Sequence, residues 1–203
     1  MRHIAEIMQL CPVIPVLVID EVDHAVPLAE ALVAGGLKVL EVTLRTPAAL
    51  DAIRAMKQVP GAVVGAGTVL DPAQLDQALA AGSEFIVSPG LTEPLGRAAI
   101  DSGVPFLPGV ATSGEIMRAL DMGLTHLKFF PAIAAGGIPA LKAIGGPFAD
   151  VRFCPTGGIT EATAPDWLAL DQILCVGGSW VAPRGPVDRE AVQAAASRAA
   201  ALG

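Results

Sequence analysis

Histidine and cysteine are scarce in this chain, with three of each among 203 residues. Cys11, Cys154 and Cys175 are too few and too scattered for a disulfide framework, and none sits in a Cys-x-x-Cys pattern. They read as reduced thiols of a cytoplasmic protein. No cluster of His, Asp and Glu has metal-ligand spacing, so no metal is expected. Basic residues are also in deficit: 13 Lys and Arg against 20 Asp and Glu give a formal net charge of -7. That sign argues against a nucleic-acid partner, although a local nest of backbone N–H groups can still hold a small anion. No run approaches the ~20 apolar residues of a membrane span. The opening Met1–Leu10, interrupted by Arg2, Glu6 and Gln9, lacks the apolar core of a secretory leader. The 53% apolar content must therefore be buried, and the length suits one domain over residues 1–203.

What the chain does contain is a repeat. Apolar, strand-like runs recur at Val13–Ile19, Lys38–Leu44, Ala62–Ala66, Glu84–Ser88, Pro105–Val110, His126–Phe130, Val151–Cys154 and Gln172–Val176. Alanine-rich helical stretches lie between them, as at Val22–Ala34, Pro47–Lys57, Pro72–Ala81 and Ser113–Met122. Asp71-Pro72 and Thr46-Pro47 pair a capping side chain with a first-turn proline. Gly35, Gly82, Gly103 and Gly123 stand where left-handed C-caps are expected. Eight strand–helix units point to a closed (β/α)8 barrel, with His3–Leu10 as an extra N-terminal helix. An open doubly wound sheet would want a glycine fingerprint after its first strand, and Ile14–Val22 has no glycine.

In such a barrel, chemistry gathers at the C-terminal ends of the strands. On the second strand, a period of two puts Glu41, Thr43 and Arg45 on one face and Leu40, Val42 and Leu44 on the other. The apolar face suits the surrounding helices, so the polar trio is expected to look inward. A register-fixing Glu41–Arg45 pair is the competing reading, but four residues along a strand span ~13 Å. On the sixth strand, Leu127 and Phe129 suit the helices, which directs Lys128 and Phe130 inward. An apolar setting favours a lysine's free amine, the form that attacks a ketone to make a Schiff base. The alternative for Lys128 is a structural pair with an acid of the barrel wall. His126 shares the parity of Lys128 about 7 Å below it and is expected to pack or cap, while His3 and His24 fall in expected solvated helices.

Paired glycines end the last two strands, Thr156-Gly157-Gly158 and Gly177-Gly178-Ser179. They let the backbone close on an anion where barrel enzymes commonly hold a phosphate. Gly65 and Gly67, at the end of the third strand, are equally compatible with a tight turn.

In order along the chain, VLEVTLRTP, VGAGTVLDP, SPGLTEPL, LKFFPA, RFCPTGGI and VGGSW resemble the 2-keto-3-deoxy-6-phosphogluconate aldolases, also called 4-hydroxy-2-oxoglutarate aldolases. The resemblance implies a cofactor-free class I aldolase, usually a homotrimer, whose products from the phosphorylated keto sugar acid include pyruvate. It further implies Lys128 as Schiff-base lysine and Glu41 as general acid/base. Arg45 and Thr68 would hold the pyruvate carboxylate, with Gly67 offering backbone contacts. Pro89 and Phe130 would shape the walls, and Thr156, Gly157, Gly158, Gly178 and Ser179 would cradle the phosphate. The galactonate epimer's aldolase is the nearest alternative. A non-catalytic trimeric scaffold is an alternative of another class.

Overall fold

The computed structural model describes residues 2–203; Met1, the first residue of the opening segment, lies outside the described residues. Parallel strands and helices alternate along the chain. The strands are β1 (Val13–Leu17), β2 (Val39–Thr43), β3 (Val63–Gly67), β4 (Ile86–Val87), β5 (Phe106–Leu107), β6 (Gly109–Val110), β7 (His126–Phe129), β8 (Arg152–Pro155) and β9 (Val176–Gly178). One ladder runs β5-β4-β3-β2-β1-β9 and a second runs β6-β7-β8. They are parts of one ring. β5 and β6 are halves of the expected fifth strand, interrupted at Pro108, which has no N–H for the ladder. The Pro108 carbonyl still accepts from Lys128 N–H at 2.8 Å. Bridges from Phe153 to Ile173 and from Thr156 to Gly177 join the other edge. The result is the expected α/β (β/α)8 barrel.

The helices are α1 (Ile4–Met8), α2 (Ala25–Ala34), α3 (Ala49–Met56), α4 (Pro72–Ala80), α5 (Glu93–Ser102), α6 (Ser113–Asp121), α7 (Gly137–Gly145), α8 (Ala164–Leu168) and α9 (Arg189–Ala200), with a 3-10 turn at Val22–His24. No helix among the described residues is long and apolar enough to cross a membrane. Several starts follow the local chemistry. Asp71 caps α4 by accepting from Gln74 N–H at 2.8 Å, and Thr112 with Glu115 forms a capping box on α6.

Local rules failed where a tertiary partner was in reach. Thr46 does not cap a helix: its hydroxyl donates to the Ile19 carbonyl, and α3 starts two residues later behind Ala48. Gly35 is right-handed at φ -78, and the left-handed residue is Gly36 at φ 97. Gly35 is needed for space instead. A Cβ there would stand 2.4 Å from the Ala196 Cβ, so the glycine lets α2 pack directly on α9. Gly82, Gly103 and Gly123 do have positive φ. The regular last strand is Val176–Gly178, not Gln172–Val176: the backbone of Gln172 and Leu174 bonds Phe153 only around an isolated bridge at Ile173, and the Gln172 side-chain amide donates to the carbonyls of Phe148 (2.8 Å) and Val151 (3.4 Å). His3 precedes α1 as its N-cap, and its ring meets His126 edge-on with centroids 5.8 Å apart.

Register fixes the interior. Val16 pairs with Glu41, Glu41 with Gly65, Gly109 with Lys128, and Lys128 with Cys154. Paired residues of parallel strands share a face, so all of these point into the cylinder. Leu40, Val42, Leu127 and Phe129 point outward and are buried beneath the helices, Phe129 against Trp167. The three cysteines, distant in sequence, are all buried and free. The neighbouring Cys154 thiol and then burial push the Cys175 thiol well above the usual range.

Candidate active site

Glu41 and Lys128 come from strands on different sides of the ring and meet inside it. Lys128 Nζ lies 3.0 Å from Glu41 Oε1, and the residues are 5% and 3% exposed. Two charges so nearly dry carry a large desolvation cost, which mutual attraction offsets only with good geometry. The acid of the barrel wall that could pair Lys128 is thus Glu41. An amine and a carboxylate at this distance can exchange a proton directly. Lys128 Nζ also stands 5.4 Å from the centre of the Phe130 ring.

The neighbours of the pair explain two glycines of β3. A Cβ on Gly67 would fall 2.2 Å from Glu41 Oε1 and 2.6 Å from its Cγ, so the carboxylate occupies the space a side chain would take. One rung below, a Cβ on Gly65 would fall 2.5 Å from the Phe85 ring, which is fully buried beside the pair's rung. These glycines are therefore more than a tight turn. Thr43, also inward, has 0% exposure and donates to the Leu17 carbonyl at 2.8 Å. Its hydroxyl ties β2 to β1.

Further up the wall, Arg45 emerges from the barrel interior and is exposed. Its Nε donates to Thr68 Oγ1 at 3.2 Å, so the competing Glu41–Arg45 pair is not formed. Thr68 is the one described non-glycine residue with positive φ, at 59. That left-handed conformation costs a β-branched residue roughly 1–2 kcal/mol. Strain of this kind concentrates at functional sites, and here it aims the hydroxyl at the guanidinium.

The glycine loops sit on the same rim. Gly157 and Gly158 have φ 108 and 78, values closed to most side chains. A Cβ on Gly157 would stand 3.5 Å from the Phe130 ring, which places the first loop beside the end of β7. Gly177 and Gly178 are glycine for space: added Cβ atoms would fall 2.2 Å from Thr156 Oγ1 and 1.9 Å from the Trp180 ring. The N–H groups of Gly158 and Ser179 have no acceptor among the described residues and remain able to donate to an anion. Pro89 meets the neighbouring strand at its own carbonyl, which a Cβ on Gly109 would approach to 2.2 Å.

With this arrangement in view, comparison with known proteins is decisive. The family model of KDPG and KHG aldolases matches residues 4–197. The chain belongs to that aldolase family. It is 59% identical over 202 residues to the 2-dehydro-3-deoxy-phosphogluconate aldolase of Zymomonas mobilis, covering 100% of this chain and 97% of the relative. The crystal structure of the Zymomonas mobilis ZM4 aldolase with 3-phosphoglycerate superposes with a TM-score of 0.98 at 58% identity, covering 100% of this chain and 97% of that one. A KDPG aldolase of Legionella pneumophila, captured with pyruvate as a covalent carbinolamine intermediate, is 46% identical with a TM-score of 0.93, over 99% and 98% of the two chains.

Seven of the twelve residues singled out from the aldolase motifs are linked by contacts with one another. Direct contacts join Glu41 with Lys128, Arg45 with Thr68, and Gly67 with Glu41, and they bring Phe130 beside both Lys128 and Gly157. Of the others, Thr156 packs against Gly177, Gly158 against Ile133, Gly178 against the Trp180 ring and Pro89 against Gly109. Phe85 supports the site but was given no part in it by the sequence, whereas Gly177 was marked there only as half of a glycine pair. Parity alone marked Thr43 as inward; nothing in the sequence reveals which carbonyl or ring it would meet.

Proposed function

We propose that this chain cleaves 2-dehydro-3-deoxy-6-phosphogluconate to pyruvate and glyceraldehyde 3-phosphate, with Lys128 as the Schiff-base nucleophile. The observation that carries the reading is the buried Lys128–Glu41 pair at 3.0 Å inside the barrel mouth. Glu41 takes a proton from the Lys128 ammonium, and the free amine attacks the C2 ketone. Glu41 returns that proton to the carbinolamine hydroxyl, which leaves as water to give an iminium and frees the carboxylate again. Glu41 then removes the C4 hydroxyl proton, the C3–C4 bond breaks, and its electron pair flows through C2 to the iminium nitrogen. The aldehyde leaves, Glu41 returns a proton to C3 of the enamine, and hydrolysis frees pyruvate and regenerates Lys128. One carboxylate serves as base and acid in turn.

Arg45 and Thr68 hold the substrate carboxylate by charge-assisted and neutral hydrogen bonds, beside Gly67. Pro89 and Phe130 flank the reacting carbons. Thr156, Gly157, Gly158, Gly178 and Ser179 hold the distal phosphate through backbone N–H groups and hydroxyls. Binding at both remote ends orients the bond that breaks. Unphosphorylated 4-hydroxy-2-oxoglutarate, split to pyruvate and glyoxylate, is a second substrate that forgoes only the phosphate contacts. The chain works without metal or other cofactor, as a cytoplasmic homotrimer. Three free thiols suit a reducing compartment, and exposed Leu70 and Ile133 suit contact between subunits. Analytical ultracentrifugation tests the trimer.

Borohydride reduction in the presence of pyruvate, followed by peptide mass spectrometry, tests the mechanism. The expected result is a covalent adduct on Lys128 and none in Lys128→Ala. An adduct on Lys57 or Lys142 overturns the assignment.

A further inference from the structure

The end of β1 and the segment after β9 meet at the rim, because β1 lies between β9 and β2 in the ring. Pro15 pairs with Gly178, so the chain leaves the ladder at Ser179, whose N–H has no acceptor among the described residues. From Ser179 to Val187 the backbone makes one hydrogen bond of its own, from Ala182 N–H to the Ser179 carbonyl at a long 3.4 Å. Pro183 and Pro186 have no N–H to give. Val181 and Ala182 are buried and seat the first turn, and regular structure resumes with α9 behind its Asp188 cap. Between those two seats the one side-chain hydrogen bonding among the described residues is that of Arg184.

Arg184 Nε and Nη2 donate to the two oxygens of Asp20, each at 2.6 Å. An exposed ion pair usually adds little to stability, but a two-bond fork fixes direction as well as distance. His24, the other basic group near Asp20, acts on it through space only. Asp20 itself is firmly placed. The Ile19 carbonyl just before it accepts from the Thr46 hydroxyl, and the Leu17 carbonyl accepts from Thr43. The end of β1 is thereby tied to β2, the strand of Glu41, and Arg184 extends that tie to the loop of Ser179.

The geometry points to Asp20 and Arg184 as a positioning pair for the substrate's phosphate: the fork holds the loop after β9 against the end of β1 and keeps the Ser179 donors turned to the anion. This role rests on the phosphate site proposed above, and neither residue touches the substrate. A loop correctly placed only about a tenth to a third of the time weakens apparent binding roughly 3- to 10-fold. A bound phosphate holds the loop by itself, so the loss falls on KM and not on kcat. Direct capture of the phosphate by Arg184 is the competing reading, and Asp20 separates the two. Its removal would free the guanidinium for the phosphate in that case and loosens the loop in this one.

The test compares the full chain with Arg184→Ala, Asp20→Ala and the double variant. Each single change is expected to raise KM for 2-dehydro-3-deoxy-6-phosphogluconate by about 3- to 10-fold, with kcat near the wild-type value. The double variant should be no worse than either single one, because both remove the same tie. Half-saturation by pyruvate in borohydride trapping on Lys128 should not move, since pyruvate carries no phosphate. Amide hydrogen exchange across residues 179–187 should speed up in both single variants. An unmoved KM, a lower KM in Asp20→Ala, additive losses, an equal loss for pyruvate or unchanged exchange overturns the inference. A wild-type chain that forms no pyruvate adduct would sink the aldolase reading by itself, and amide exchange would still decide whether the pair holds the loop.

Discussion

Replacing Gly67 by alanine isolates the placement of the Glu41 carboxylate from its chemistry. The φ of Gly67 is not positive, so a methyl group adds no backbone strain. The whole effect is steric. The new Cβ would lie 2.2, 2.6 and 2.8 Å from Oε1, Cγ and Cδ of Glu41. Restoring ordinary contact to Oε1 requires a shift of roughly 1 Å, since non-bonded heavy atoms settle near 3.5 Å. Lys128 Nζ now sits 3.0 Å from that oxygen, so the shift takes the pair out of hydrogen-bond range. A misplacement of this size costs on the order of 10²-fold in rate. Steady-state cleavage of 2-dehydro-3-deoxy-6-phosphogluconate is expected to fall by about that factor through kcat, with borohydride trapping of pyruvate on Lys128 retained. Loss of charge-assisted bonding in the interior should also lower stability, by about 1.5–3 kcal/mol in urea denaturation. Wild-type kcat in a Gly67→Ala protein of unchanged melting temperature would refute the reasoning.

Glu41→Gln keeps the shape of the acid and removes its proton transfer; trapping should persist while cleavage slows by about 10²–10⁴-fold, and full activity would remove Glu41 from the mechanism. Gly35→Ala decides between two local rules. At a right-handed φ it should stabilise the chain, but the 2.4 Å approach to Ala196 predicts a loss of about 1–3 kcal/mol by urea denaturation, and a gain would contradict the close packing of α2 on α9. Burial first, then the charges of His3 and Arg152, lowers the folded pKa of His126 below 6.5. The unfolded chain therefore takes up this proton first, so the stability contribution is whole above pH ~6.5 and is lost as pH falls through the folded value. The melting temperature should drop more between pH 7.5 and 5.5 in the wild type than in His126→Gln; equal drops would assign the acid sensitivity elsewhere.

Side-chain periodicity in the sequence determined most of the fold and the faces of the key strands. Alternation along a strand leaves no freedom, so an apolar set at Leu40 and Val42 forces Glu41 and Thr43 inward, and Leu127 with Phe129 does the same for Lys128. The six motifs, LKFFPA and VLEVTLRTP among them, carried the family and the residues proposed for its chemistry. Distances could not be read this way. Glu41 and Lys128 are 87 residues apart, and only closure of the ring brings their charges to 3.0 Å. The same closure gives Gly67, Gly65 and Gly35 their reasons, each an empty volume filled by a side chain or helix distant in sequence. Thr46 had the composition of a helix cap and found a carbonyl of β1's loop instead. A local rule weighs only near neighbours, whereas a polar or small residue is settled by whichever partner the fold delivers, and that partner is fixed only once the barrel has closed.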